Sequence, residues 1–241
     1  FIVCCVIFLF VYFSITYPFG FFLNKSFANI AYGEIVTTQD IEILPKPEVL
    51  TSSKTQISFV GDVMLARHVE YLIEKNDANY PYKLFKFPDK NSTFLIGNFE
   101  ASIPIRHIKT PNYNFNFSVD EKYLTNLDNV GFTHFSLANN HSYDYGMEGY
   151  LNANTAFKNN NLISFGNPNE ISTSSIEILE LANSRIALIG INLVEKAIDL
   201  NQVTNVLEYA SENSDFQIIY VHWGDEYKLT QSNEQRELAT M

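Results

Sequence analysis

The sequence predicts an α/β fold with a mixed sheet. Strands alternate with helices from Thr55 onward, one hairpin interrupts the alternation, and four polar motifs each follow an apolar, β-rich run. Alternation of this kind lays helices on sheets, and the hairpin adds an antiparallel pair. ISFV (57–60) runs into GDVMLAR (61–67), STFLI (92–96) into GNFE (97–100), HFSL (134–137) into ANNHSYDYG (138–146), and FQIIYV (216–221) into HWGDEY (222–227). Open α/β sheets bind ligands in the crevice beyond the carboxyl ends of their strands. Asp, Asn, Glu and His gathered there have the chemistry of metal ligation and proton transfer.

Between the strands, helices are expected near 66–76, 120–129, 147–160, 201–213 and 231–240. Ser118-Val119-Asp120 offers an N-cap, and Gly131 stands where a helix ends. Val203, Val206, Leu207 and Ala210 recur at helical spacing. SIEILEL (175–181) and RIALIGI (185–191), joined by Ala182-Asn183-Ser184, read as the hairpin.

The length of 241 residues suits one large domain or two small ones. A net charge of −11 repels phosphate backbones and argues against nucleic acid as a partner. A phosphorylated or polyanionic substrate then needs a metal or a local basic group. Residues 1–23 carry no charge, and ~20 apolar helical residues cross a ~30 Å hydrocarbon core. We therefore expect an N-terminal transmembrane helix over 1–23, a linker over 24–54 containing Pro45 and Pro47, and one domain over 55–241. The rival reading, a signal peptide cleaved after Ser26-Phe27-Ala28, is weakened by the length of the apolar run. Cys4 and Cys5 both lie in that run, so the rest of the chain has no disulfide framework.

Taken singly, each motif has a bland alternative. Asp62 at a strand end can ligate a metal, or simply cap the next helix. Arg67 can clamp a phosphate or carboxylate, or sit as a surface charge. Asn98 and Glu100 are two apart and share a face if extended, yet Gly-Asn is also ordinary turn chemistry. Asn139 to Ser142 form a polar run that is costly at a buried strand end unless each group finds a partner. His141 can ligate or transfer protons, with Asp144 three residues on to orient its ring. His222, before the single Trp223, is a ligand or a satisfied core histidine. Asp225 and Glu226 add acidic groups beside it. His107 falls in a polar loop, reaching over the site or facing water. His68 and His134 read as structural.

In this order and spacing, GDVMLAR, GNFE, ANNHSYDYG and HWGDEY resemble the bacterial capsule-synthesis CapA family, of the poly-γ-glutamate synthesis type. That family resembles the calcineurin-like metallophosphoesterases. The resemblance covers roughly 57–240 and implies a metallophosphoesterase-like α/β/β/α sandwich with mixed sheets. It implies divalent metal ions, with Mn, Fe and Zn as candidates, held by Asp62, Asn98, Glu100, Asn140 and His222. His141, assisted by Asp144, would protonate a leaving group, while Arg67, Asn139 and Glu226 would face substrate. The implied partners are an anionic polymer or phosphoester, a bacterial membrane with the domain outside the cytoplasm, and other capsule-assembly membrane proteins.

Two departures accompany the resemblance. Asp62-Val63-Met64 replaces the Asp-x-His of the phosphoesterases, and no Gly-x-His-Pro-His segment occurs before Met241. The second departure implies a C-terminally incomplete domain. Metal-assisted phosphoester hydrolysis is thus one expectation, and a non-catalytic polyanion-binding or scaffold module is the other.

Overall fold

The computed structural model describes residues 56–87, 89–90, 93–194, 196 and 199–240. The expected transmembrane helix and linker lie outside them. Among the described residues no helix is long and apolar enough to cross a membrane. The elements are β1 Gln56–Val63, α1 His68–Lys75, β2 Thr93–Phe99, α2 Leu124–Val130, β3 His134–Ser136, α3 Gly146–Asn159, β4 Ile163–Phe165, β5 Glu177–Leu181, β6 Ser184–Asn192, α4 Leu200–Asn213, β7 Phe216–His222 and α5 Asn233–Leu238.

Two sheets form. The first runs β1-β2-β3-β4, parallel throughout, because each connection within it carries a crossover helix. The second runs β5-β6-β7, with β5 antiparallel to β6 and β7 parallel to it. The expected hairpin is therefore present, but only the second sheet is mixed. β4, as short as β3, is absent from the sequence reading.

Strand parity sorts the side chains into layers. In β2, Leu95 and Phe99 face α2 and α3, packing with Leu124, Leu127, Ala153 and Phe157. Phe94 and Ile96 face the other sheet, meeting Leu179, Leu188 and Tyr220. In β6, Ala187, Ile189 and Ile191 turn outward onto Val206 and Ala210 of α4. The order of layers is α/β/β/α, as the resemblance implies.

The sheets meet closely at Gly166 and Gly190. A Cβ on Gly190 would lie 2.9 Å from the Gly166 Cα and 3.1 Å from the Ala138 Cβ. Gly166 also has a φ of +77°, which side chains rarely tolerate. Asp120 caps the 3-10 turn leading into α2 by accepting from Lys122 N, and Gly131 closes α2 at φ 106°.

Candidate functional site

Three strand ends converge where the sheets face each other. Asn98 lies on the inter-sheet face of β2 by parity with Phe94 and Ile96. His222 lies on the inter-sheet face of β7 by parity with Ile218 and Tyr220. Asp62 needs a further device. Ile57 and Phe59 face inward, so an unbroken β1 would turn Asp62 toward the helices. The register jumps from Phe59↔Ile96 to Asp62↔Asn98, with one extra residue in β1. That bulge flips the parity and sets Asp62 beside Asn98. The Tyr220 hydroxyl donates to Val60 O and ties β7 to the bulge.

A buried amide relay organises the centre. Backbone N–H groups of His141 and Ser142 donate to Asn139 Oδ1 at 3.0 and 2.8 Å. Asn139 Nδ2 must then donate, and it does so to Phe99 O and Asn98 Oδ1, each at 2.9 Å. Asn98 Nδ2 consequently points out of the core, donating to Asp62 Oδ1 at 2.7 Å and lying 3.2 Å from His222 Nδ1. In its neutral form the His222 ring therefore accepts at Nδ1 and carries its proton on Nε2, which donates to Asn140 Oδ1 at 2.9 Å.

His141 is held from three sides. Its Nδ1 donates to Asp144 Oδ2 at 2.9 Å, and the same oxygen accepts from Phe117 N at 2.6 Å. The Phe117 ring stacks on the imidazole with centroids 4.1 Å apart. His141 Nε2 faces Glu100 Oε1 at 3.8 Å.

Charge follows from this geometry. Burial pushes the Glu100 carboxyl up to about 7, and the neighbouring Asp62 charge adds to that. Burial also works against the Asp62 carboxylate, yet the His222 ring, when protonated, and the Asn98 hydrogen bond outweigh it and hold Asp62 low. Burial works against the charged His141 ring, but the Asp144 hydrogen bond and charge outweigh it and raise its pKa.

Asp62, Asn98, Glu100, Asn139, Asn140, His141, Asp144 and His222 thus form one cluster linked by the contacts above. Their placement differs from expectation in detail. Asn139, expected at a substrate, is fully buried with both amide ends committed to protein groups. Asn98, expected to ligate, spends its ligating oxygen on Asn139. Asn140 Oδ1 faces the protonated nitrogen of His222. Glu226 is exposed in the segment after β7. Arg67 reaches Asn112 O and lies over Phe115 and Phe117, 5.6 and 5.7 Å from their centroids. Phe117 is the site residue whose role the sequence reading missed; its alternation with Asn in NYNFNF gives no hint of a ring stacked on His141.

Asp62 Oδ1 and His222 Nδ1 lie 3.5 Å apart, with Asn98 Nδ2 hydrogen-bonded between them; a divalent cation held by this pair would take the place of that amide. Among the described residues no group of three or more His, Cys, Asp or Glu converges to hold a metal.

The profile of the family described as "Bacterial capsule synthesis protein PGA_cap" matches residues 56–241. The chain belongs to this bacterial capsule synthesis family. It is 27% identical over 209 residues to the capsule biosynthesis protein CapA of Bacillus anthracis, covering 78% of this chain and 51% of that protein. To the PGA biosynthesis protein CapA of Bacillus subtilis (strain 168) it is 23% identical over 211 residues, covering 81% and 56%. The chain thus spans about half the length of these curated relatives. Among solved structures, a hypothetical protein from Thermus thermophilus overlays with a TM-score of 0.41 at 16% identity, covering 70% of this chain and 58% of that one. A putative 5′-nucleotidase from Staphylococcus aureus overlays at 0.40 and 12%, covering 72% and 38%.

Proposed function

We propose that this chain is the metal-dependent, phosphoesterase-like part of a membrane-associated protein of capsule synthesis or export, with poly-γ-glutamate as the polymer served. The observation that supports it is the convergence of Asp62, His222 and His141 on one strand-end crevice. Asp62 and the bare nitrogen of His222 would hold a divalent cation, with Glu100 nearby. Such an ion supplies Lewis acidity toward a phosphoryl oxygen.

The chain's own residues account for the rest. Asp144 accepts from Phe117 N and therefore acts as an acceptor, so His141 keeps a proton on Nδ1. Its raised pKa lets Nε2 carry a second proton closer to neutrality, and that is the proton for a leaving oxygen. Arg67, backed by Phe115 and Phe117, offers a cation to an anionic substrate in a chain that is otherwise acidic.

A non-catalytic module that binds a polyanion is the second reading. The small donor set and Met64 in place of a histidine favour it. One experiment separates the two: metal content of the purified full-length protein, followed by turnover of bis(p-nitrophenyl) phosphate. Stoichiometric metal, with turnover lost in Asp62→Ala, supports the enzyme. Absence of metal, or unchanged turnover in a combined Asp62→Ala, His141→Ala variant, sinks it.

A further inference from the structure

Outside this cluster, a second set of buried polar groups sits between α1 and the loop that follows β2. Glu70 and Glu74 fall on one stripe of α1, four residues apart, and Arg67 precedes the helix as its N-cap residue. All three grip the loop between Ile103 and Phe117. Arg67 holds Asn112 O, Glu70 Oε1 holds His107 Nε2 at 2.7 Å, and Glu74 holds Lys109 at 2.6 Å. The loop carries the exposed side chains Ile105, Ile108, Tyr113 and Phe115, so its own apolar residues do little to bury it.

The middle grip differs in kind. Glu70 is 2% exposed and Ser118 fully buried. His107 Nδ1 lies 2.7 Å from Ser118 Oγ, which also accepts from Ile108 N at 3.4 Å. One proton order satisfies every contact with a neutral ring: Ile108 N–H to Ser118 Oγ, Ser118 O–H to His107 Nδ1, and His107 Nε2–H to Glu70 Oε1. This is the connectivity of a Ser-His-acid hydrolytic triad, but a fully buried serine cannot meet a substrate. Nor does stability explain it well. A buried carboxylate costs several kcal/mol unless fully paired, and among the described residues Glu70 Oε2 has no hydrogen-bond partner.

The position of Ser118 suggests another use. It follows Phe117, whose N–H binds Asp144 and whose ring covers His141. The segment pairs with Ser102 through backbone bonds, Ser102 N to Phe117 O at 2.9 Å and Val119 N to Ser102 O at 3.0 Å. Those bonds fix the chain path; the His107 bridge anchors the same point to α1, the helix that follows the Asp62 motif.

We propose that Glu70, His107 and Ser118 are positioning residues that hold Phe117 and its loop against His141, fixing the orientation and tautomer of that imidazole. The effect on turnover rests on His141 acting as proton donor; the effect on the ring itself does not.

Imidazole ¹⁵N spectra of the full-length, histidine-labelled protein at alkaline pH test this directly. In the unaltered protein, His141 should show one bare and one protonated nitrogen, with the proton on Nδ1. His107→Phe should draw the two signals toward each other as the tautomers exchange, while His134, in the same sheet, keeps its shifts and reports an intact fold. Should His107→Phe fail to fold, Ser118→Ala retains the backbone pairing to Ser102 and is expected to give the same change, smaller in size. Glu70→Gln, which still offers an oxygen to His107, should keep the unaltered pattern. If the protein turns over phosphodiester, His107→Phe should lower kcat about tenfold with KM little changed. His141 signals that stay fixed in folded His107→Phe or Ser118→Ala overturn the proposal, whether or not any turnover exists.

Discussion

His134 opens β3 and His141 follows its far end, and both rings are largely shielded from water. The His134 ring meets Thr133 Oγ1, at 2.8 Å, and the edge of Phe94; among the described residues its Nε2 has no hydrogen-bond partner. Burial alone therefore pushes its pKa down to about 4. His141 feels burial too, but Asp144 and Glu100 reverse the direction. Burial by itself gives a silent core histidine, whereas burial with carboxylate partners gives a ring able to carry charge. The segment beyond the carboxyl end of β3 supplies such a carboxylate in Asp144, and the amino end of β3 supplies none to His134.

The sharpest way to break the contrast is to remove each ring in turn. His141→Ala should cut phosphodiester turnover by roughly 10²–10⁴-fold, the usual weight of a general acid. His134→Phe should leave turnover near its original value, and steady-state kinetics of the two variants decide between them.

Stability against pH sharpens the same contrast from the other side. His134 has a folded pKa of about 4, below its unfolded value of 6.5. The unfolded chain therefore binds more protons between those values, so stability is present above 6.5 and is lost as pH falls toward 4. The loss should total roughly 3 kcal/mol. Urea unfolding at pH 7 and pH 4.5 should show it in the unaltered protein and not in His134→Phe. His141 carries the opposite sign: its raised pKa gives stability that is full below the unfolded value and is lost as pH rises through the folded one. Asp144→Asn should remove that acid-side gain. Its urea midpoint should therefore drop further below that of the unaltered protein at pH 5.5 than at pH 9.

A smaller effect concerns the packing behind the carboxyl end of β3. Gly190→Ala would set a methyl against the Gly166 backbone, Ala138 and Ser136. Overpacking of this kind costs about 1–3 kcal/mol. Thermal unfolding should register it, and the ¹⁵N signals of His141 should move more than those of His134. The smallest effect is expected from Asp120→Ala, which removes the cap leading into α2 and should cost about 1 kcal/mol.

Much of this was legible in the chain. The hairpin, the five helices and the four motif-bearing strands appear where the hydrophobic periods and the turn residues put them. Asp120 and Gly131 act as cap and stop for the reasons their side chains give. Strand β4, as short as β3, was not legible there. Within the site, His141 and Asp144 could be paired from their spacing. The division of labour among the asparagines could not: Asn139 and Asn140 are neighbours of the same type, yet one is spent inside the relay and the other lies exposed on the rim.

The sequence by itself determined the α/β class, the strand-end positions of the polar groups and the kinship with the capsule synthesis family, because local period and motif are properties of neighbours along the chain. Only the tertiary structure decided which atoms meet. The bulge in β1 turns Asp62 toward Asn98, the facing sheets bring in His222 from 124 residues away along the chain from Asn98, and α1 grips the loop that carries Phe117. Each depends on parity and packing between segments distant in sequence, where a shift of one residue would turn a ligand into the core.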